Sequence, residues 1–313
     1  SGTAARAVQD ATGIRLAGER VHFKAEHLQK TGSFKPRGAF TRLDALTAEE
    51  RARGVITISA GNHAQALAYA ASFERIPVTV VMPEGASRTK VAAAAGYGAE
   101  VVLHGTDVGA TLRRMEELRE ERGLVLVHPF DDPLVIAGQG TVGLEIVEQL
   151  PEVDVVVVGV GGGGLIGGVA PAVTAARPGA RVYGVEPESS DALARGLAAG
   201  RPVPVAPRSI ADGLGAPFAG EWAIAIAARS VEEVVLVDDA TIVAAMRFAA
   251  ERMKQILEPA GAAALGALLA GKVPLRGGET VCVVLSGGNV DLARFAELVM
   301  GEHPPDWAGA GPR

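Results

Sequence analysis

The sequence predicts an α/β protein built on mostly parallel sheets flanked by helices, and three observations predict it. Short apolar runs alternate with helical stretches along nearly the whole chain, joined by short loops. The strand expected over Val153–Val158 is almost wholly valine, as strands covered on both faces are. Polar, glycine-bearing loops follow several of the expected strands, where parallel sheets gather their ligands. At 313 residues the chain can form two lobes or one large α/β domain.

Composition bounds the function. The apolar share is 48%, enough for a full core, and aromatics are only 4%, so Ala, Gly and Val do most of the filling. The net charge of -6, with no long run of either sign, argues against a nucleic-acid surface. Cys282, the one cysteine, sits in an apolar run that reads as a buried strand and can form no intrachain disulfide. No signal peptide or membrane-spanning stretch is evident, so a soluble, cytoplasmic protein is expected.

The elements follow in order. The first twenty residues are weakly patterned. Val21–Lys24 alternates enough for a strand leading into AEHLQKTGSFKPRGAF, residues 25–40. Pro36 suits the first position of a helix running through Phe40, Leu43 and Leu46, and it biases Lys35 toward an extended loop backbone. Thr47–Glu50 has the form of a helix N-terminus. Val55–Ile58 is a strand, followed by Ser59-Ala60-Gly61-Asn62-His63 and an alanine-rich helix to Phe73. Val78–Met82 and Val101–Leu103 are strands, with a helix from Ser87 to Ala95 between them. Thr106–Arg122 is an amphipathic helix with Leu112, Met115 and Leu118 inward. Val125–His128 is a strand ending at Pro129, and Pro129–Pro133 has the character of a hinge between lobes. A helix from Gly140 to Leu150, the valine strand, and a helix from the glycine loop to Ala176 come next. Arg181–Glu186 is a strand, and Gly200–Pro217, with four prolines, is irregular. Val234–Val237, helices over Thr241–Leu257 and Gly261–Leu269, and the strand around Cys282 complete the pattern; the tail after Pro304 is polar and loose.

Two local signals suggest chemistry. Only six of the thirty Lys and Arg residues are lysine, so each lysine invites a question, and Lys35 lies on a loop beside small residues and Phe34. Lysine can lose its proton and form a Schiff base, which arginine cannot do. Gly159-Val160-Gly161-Gly162-Gly163-Gly164 opens a helix and lets backbone N–H groups approach an anion. A tight turn without a ligand would look similar, but four consecutive glycines are costly in chain entropy, which favours a phosphate site. The same loop fits G-x-G-x-x-G with Glu186 as a ribose-binding acid, so an NAD(P)-dependent oxidoreductase stays open on this signal alone. That reading leaves Lys35, Asn62 and Ser286-Gly287-Gly288-Asn289 without a role, although each loop singly could be a helix cap.

The segments EHLQKTGSFKPRGA, SAGNHAQALAYAA, HPFDDPLVIAGQGT, GVGGGGLIGG, GVEPE, ADGLG, EPAGAAAL and LSGGNVD resemble the threonine/serine dehydratase and serine racemase family. The likeness covers His22 to Asp291. It implies a two-lobed fold type II, tryptophan synthase beta-like architecture. Residues 1–50 and 132–313 would form a large cofactor-binding domain and residues 51–131 a small one. The implied cofactor is pyridoxal 5'-phosphate, held as a Schiff base by Lys35. Phe34 and Gly213 would cover the ring faces and Asn62 would bond the ring hydroxyl. Gly161, Gly162, Gly163, Gly164 and Leu165 would cradle the phosphate, and Ser286 would face the ring nitrogen. Ser59, Ala60, Gly61, Asn62 and His63 would grip the substrate carboxylate. The implied reaction converts L-threonine, L-serine or a close β-hydroxy amino acid to a 2-oxo acid and ammonia, with Lys35 as general base. A 3-hydroxyaspartate dehydratase and an amino acid racemase are the runners-up within the family.

This chain departs from the family pattern in three places. Ala60 stands where the racemases carry an acid/base serine, which favours dehydration over racemisation. The family's cation site is matched by Glu186 and Ser190, but Ala192 replaces its second carboxylate, which weakens a divalent or monovalent cation there. The plainer expectation for Glu186 is a strand-end acid capping the next turn. Pro36 after the lysine is unusual for the family. Lys30, Thr31, Gln65, Lys90, Tyr97 and Asn289 match positions of a nucleotide site in the animal racemases, though such residues also serve structure. The resemblance further implies a homodimer or higher homo-oligomer. The chain ends soon after SGGNVD, so a regulatory domain there is not expected.

Overall fold

Short runs rich in β-branched residues form nine strands in the computed structural model, which describes residues 1–301. In chain order they are β1 (Val21–Lys24), β2 (Val55–Ile58), β3 (Val78–Met82), β4 (Glu100–Leu103) and β5 (Val125–Leu126). After these come β6 (Val155–Gly159), β7 (Arg181–Pro187), β8 (Glu233–Val237) and β9 (Val281–Val284). The chain divides into two units. The larger contains Ser1–Phe34 and the described residues from Gly140 onward; the smaller is Lys35–Gln139.

The larger unit holds a five-stranded sheet in the order β1-β9-β6-β7-β8, with every pair parallel. Alternate residues of a strand point to opposite faces, and the burial follows that rule. Val155 and Val157 join one apolar cluster with the helix Pro259–Leu269, while Val156 and Val158 join another with the helix Gly164–Ala176. All four valines are completely buried, so helices cover both faces. The smaller unit repeats the scheme with a parallel sheet in the order β4-β3-β2-β5. Val55, Val78, Val80 and Met82 face one cluster, and Ile56 and Val81 face another with Met115 and Leu118.

The unit boundaries fall at 34/35 and 139/140 rather than at 50/51 and 131/132. Side-chain size explains the difference. The helix Pro36–Asp44 lies so close to the helix Pro133–Gln149 that a Cβ on Gly38 would fall 2.7 Å from the Val135 carbonyl oxygen. A Cβ on Gly138 would fall 2.6 Å from the Arg37 carbonyl oxygen. Gly38 N–H also donates to Gln139 Oε1 at 3.3 Å, and Arg42 pairs with Asp132 at 3.0 Å. The Lys35 helix therefore belongs with the smaller sheet, and the loop Pro129–Pro133 lies wholly inside that unit.

Several local expectations are corrected. Lys35 is helical (φ -56, ψ -32), not extended, because its carbonyl accepts the first helical bond from Ala39 N–H at 3.2 Å. The helix expected to begin at Gly140 starts at Pro133, where Asp132 Oδ1 caps it by accepting from Leu134 and Val135 N–H. Leu112 is largely exposed, since the buried stripe of its helix is Thr111, Met115 and Leu118. The helix expected over Thr241–Leu257 is regular only to Phe248 and continues as a π-turn, Ala249–Met253, ending at Lys254 with φ 60. Pro259 explains the break, because its ring obstructs a helical carbonyl four residues back and biases Glu258 to extended backbone. Four helices were not expected, among them Ala192–Ala199 and Glu221–Ser230 on either side of the proline-rich loop. Gly2–Thr12 is capped by Ser1 Oγ and by Gly13 at φ 73, with only Ala4, Ala5 and Val8 inward. Leu292–Met300 buries only Phe295. The expectation for the tail after Pro304 lies outside the described residues.

Close backbone approach supplies the first test of this packing. A Cβ on Gly261 would lie 2.0 Å from the Gly287 carbonyl oxygen, whereas one on Gly277 would have nothing within 4 Å. Gly261→Ala is expected to destabilise the fold by on the order of 3 kcal/mol in denaturant melts, with Gly277→Ala near zero. Equal effects of the two substitutions would contradict the packing.

Candidate active site

In the larger sheet the chain leaves β6 toward β7 and β8, then returns to place β9 on the other side of β6. Loops at the carboxyl ends of two such strands diverge and open a crevice. After β6 comes the glycine loop. Gly163 has φ 90, which only glycine adopts without strain, and a Cβ there would lie 2.4 Å from Ala223 Cβ. Gly163 is the N-cap of the helix Gly164–Ala176 and brings no side chain to cap it. The first-turn N–H groups and the positive end of a 13-residue helix are thus available to an anion. A Cβ on Gly161 would meet Leu214 Cα at 3.0 Å and the Gly213 carbonyl at 3.2 Å, so Ala211–Gly215 lies directly on the glycine loop. Leu165 is buried and anchors the first helical turn in the core.

After β9, Ser286 is buried with its Oγ donating to the Ala260 carbonyl at 3.5 Å. The segment before Lys35 is stitched along this loop. Ser33 forms an antiparallel bridge with Gly287, and Phe34 N–H donates to the Ser286 carbonyl at 3.2 Å. Gly288 N–H donates to the Gly32 carbonyl at 2.9 Å, and Asn289 Nδ2 to the Thr31 carbonyl at 2.6 Å. One unit thus carries Phe34, Gly161–Gly164, Leu165, Gly213 and Ser286. Thr31 Oγ1 and Ser33 Oγ are buried without a hydrogen-bond partner, an arrangement that costs about 1–3 kcal/mol per group unless a polar ligand meets it. The uncapped glycine cradle and these orphaned hydroxyls fit a phosphate-bearing cofactor.

The smaller sheet has the same reversal: β2 leads to β3 and β4, and β5 returns to the other side of β2. After β2, Gly61 is the N-cap of the helix Asn62–Ser72, again with no side chain for capping, and its N–H donates to Ser59 Oγ at 3.2 Å. Ala60 packs its methyl group on the apolar cluster of the unit. Asn62 and His63 form the first turn. His63 is buried and donates through Nε2 to the Val127 carbonyl at 3.1 Å. Burial, then the neighbouring Lys35 charge, pushes its pKa down to about 3, so the ring is neutral. Thr57 Oγ1 donates to the same Val127 carbonyl at 2.8 Å. Two residues on, the Pro129 carbonyl accepts from Lys35 Nζ at 2.6 Å. Lys35 thus shares a unit with Ser59, Ala60, Gly61, Asn62 and His63.

Sequence reasoning missed Thr57, His128 and Pro129 as parts of this arrangement. His128 Nδ1 accepts from Phe130 N–H at 3.3 Å and Asp131 N–H at 2.8 Å. No periodicity announces such a contact; the one available signal was a histidine followed by proline at a strand end.

Glu186 is completely buried at the end of β7, and its two carboxylate oxygens accept from Leu193 N–H at 2.7 Å and Ala194 N–H at 2.9 Å. It therefore caps the helix Ala192–Ala199. With both oxygens committed, it does not serve as the ribose-binding acid of a nicotinamide site. Ser190 Oγ is buried and lacks a hydrogen-bond partner, but no group of three His, Cys, Asp or Glu able to hold a metal occurs among the described residues. Of the residues matched to a nucleotide site, Lys30, Thr31 and Asn289 lie in the larger unit and Gln65, Lys90 and Tyr97 in the smaller. Asn289 braces Thr31, which has φ 66, and Tyr97 packs edge-on to Tyr69, so these residues have structural work. No helix among the described residues is long and apolar enough to cross a membrane.

Comparison with known proteins adds the chemistry. Residues 7–287 match the family model for pyridoxal-phosphate dependent enzymes. The L-threonine ammonia-lyase of Geobacter sulfurreducens is 44% identical over 283 residues, covering 89% of this chain and 69% of that one. The L-threo-3-hydroxyaspartate ammonia-lyase of Saccharomyces cerevisiae is 40% identical over 286 residues, covering 91% and 87%. The structure of maize serine racemase aligns with a TM-score of 0.85 at 35% identity, covering 94% of this chain and 95% of that one.

Glu186 leaves a signature in the pH dependence of stability. Burial raises its pKa from 4.5 to about 7, so the folded chain holds the proton more tightly than the unfolded chain does. Stability is greatest below 4.5 and falls as pH rises through 7, by about 3 kcal/mol from this group. Unfolding of Glu186→Gln, followed from pH 4.5 to 8, is expected to lack that decline; parallel curves for parent and variant would refute it.

Proposed function

Because the chain belongs to the family of pyridoxal-phosphate dependent enzymes, we propose that it is an ammonia-lyase that converts L-threonine, L-serine or a close β-hydroxy amino acid to a 2-oxo acid and ammonia. The observation that carries this reading is the pairing of Lys35 and Ala60 in one unit. Lys35 Nζ is held at 2.6 Å on the Pro129 carbonyl, while the glycine-capped loop of the same unit carries alanine at position 60, whose methyl group packs on the apolar cluster. An amine can remove a proton from Cα, and a methyl group cannot return one. The 40–44% identity to two ammonia-lyases supports the same reaction class.

The roles of the residues follow from their chemistry. Backbone N–H groups of Gly161–Gly164 and the helix that Leu165 anchors bind the phosphate. With the cofactor bound, Phe34 and Gly213 would cover the ring, the second leaving room because it has no side chain. Asn62 would supply a hydrogen bond to the ring hydroxyl, and Ser286 Oγ a neutral partner to the ring nitrogen. N–H groups of Ser59, Ala60, Gly61, Asn62 and His63 bind the substrate carboxylate at the start of the helix Asn62–Ser72. Pyridoxal phosphate, when bound, takes up the electron pair left at Cα. A neutral serine beside the ring nitrogen moderates that sink, which suits prompt loss of the β-hydroxyl over long storage of the electron pair. Lys35 Nζ first holds the cofactor and then takes the Cα proton. The Cβ–O bond breaks as the β-hydroxyl takes up one proton, matching the one removed from Cα, and leaves as water; the released enamine is hydrolysed by water to the 2-oxo acid and ammonia.

The reading extends to a cytoplasmic homo-oligomer. The exposed Leu28, Leu292 and Met300 are in keeping with subunit contacts, and the buried, unpaired Cys282 is in keeping with a reducing compartment.

Protein supplied with the cofactor is expected to be yellow, and borohydride should bleach it and mark Lys35 in peptide maps. Lys35→Ala should lose at least about 10³-fold in 2-oxo acid release from L-threonine or L-serine. Undiminished turnover by this variant would end the proposal.

A further inference from the structure

The residues after β5 hold Lys35 Nζ in place. Val127 is the last residue whose carbonyl is tied to the sheet region, where it accepts from both Thr57 Oγ1 and His63 Nε2. The chain then turns sharply, and the turn is organised around the His128 ring. A nitrogen that accepts two backbone N–H groups, from Phe130 at 3.3 Å and Asp131 at 2.8 Å, must present a lone pair. His128 is therefore neutral, with its proton on Nε2. The ring is further fixed edge-on to Phe130, with centroids 4.6 Å apart. Pro129 stands inside this turn and has no N–H of its own to satisfy, so its carbonyl is what the turn presents, and Lys35 Nζ donates to it. The loop continues to Asp132, which caps the next helix and pairs with Arg42, so the far side of the turn is also tied to the Lys35 helix.

We propose that His128 is a positioning residue for Lys35: its Nδ1 builds the turn whose Pro129 carbonyl holds the amine where it works. The inference rests on the reading of Lys35 as the reacting amine. The role asks for a hydrogen-bond acceptor at this place, and it fails when the acceptor is lost or protonated. A proton on Nδ1 would set a donor against two donors and release the turn. The charged or titratable groups facing His128 are Asp131 and Asp132 on its own loop, Lys35 at the head of its helix, and His63 on the neighbouring helix. Burial lowers the His128 pKa below the ordinary 6.5 and outweighs the opposing pull of the two aspartates, so the neutral ring prevails at physiological pH. Displacing a reacting group by about 1 Å costs on the order of 10²-fold in rate, and this sets the size of the effect.

The test uses the holoenzyme and two variants. His128→Phe keeps a ring but has no acceptor; His128→Asn keeps an oxygen able to accept from the N–H groups two and three residues on. His128→Phe is expected to lose about 30- to 100-fold in kcat with KM within about threefold. His128→Asn should recover most of that loss. The parent's kcat should fall on the acid side with a midpoint below 6.5, and that limb should be absent from His128→Asn. Equal impairment of both variants, or an acid limb unchanged in His128→Asn, overturns the proposal. If His128→Phe shows no cooperative melt, the pH profiles of parent and His128→Asn decide alone. Borohydride labelling separates the two levels of inference. Label on a residue other than Lys35 sinks the catalytic reading, whereas label on Lys35 with superimposable pH profiles sinks only the role of His128.

Discussion

Two glycines, Gly38 and Gly138, set the distance on which the chemistry of the smaller unit depends. Ordinary helix pairs are kept 8–10 Å apart by their side chains. Here neither helix has room for a Cβ at the crossing, because each glycine would place one within 2.7 Å of the other helix's backbone. That approach lets Arg42 reach Asp132 and puts the head of the Lys35 helix beside the Pro129 carbonyl. Gln139, almost fully buried, adds a hydrogen bond to Gly38 N–H at the same place. The position of Lys35 Nζ is thus fixed from three sides: by steric closeness, by a mostly buried ion pair, and by a turn built on a neutral histidine.

Both sheets use one topological device. In each, the chain runs outward through three strands and then places a fourth against the first, so two loops at the carboxyl edge part company. In each, one of those loops ends in a glycine N-cap that leaves the following helix without a side-chain cap. Several other helix starts in this chain are treated differently. Ser1, Thr47, Ser87, Asp107 and Asp238 each cap their own helix with a side-chain oxygen. An N-terminus stripped of its cap on a carboxyl edge has free N–H groups and a positive field, which suits one anion per unit.

The parts of this arrangement that were legible in the sequence are those with a short-range signature. The strands announced themselves through valine, the helix Ala48–Arg53 through its Thr47–Glu50 capping box, and the uncapped start of the helix Gly164–Ala176 through four glycines. What escaped notice depends on residues distant in sequence. Nothing near Pro129 marks its carbonyl as the partner of a lysine 94 positions earlier. Gly38 and Gly138 look like ordinary small residues until the crossing of their helices is known. The helix Gly2–Thr12 was overlooked because three inward residues, two of them alanine, make a faint stripe. The expected boundary at residue 50 treated the Lys35 helix as belonging with its neighbour in sequence, whereas packing attaches it to the elements that follow.

Ala60 has a stereochemical consequence. On the catalytic reading, the proton route to Cα in the smaller unit passes through Lys35 Nζ, and the methyl group of Ala60 neither takes nor gives a proton. A substrate that loses its hydrogen and escapes elimination can recover one only from the side on which it was lost. Hydrogen at Cα then exchanges with solvent through the amine while the configuration stays as it was. The enzyme would erase isotopic memory and preserve handedness, a distinction set by the absence of a single oxygen atom.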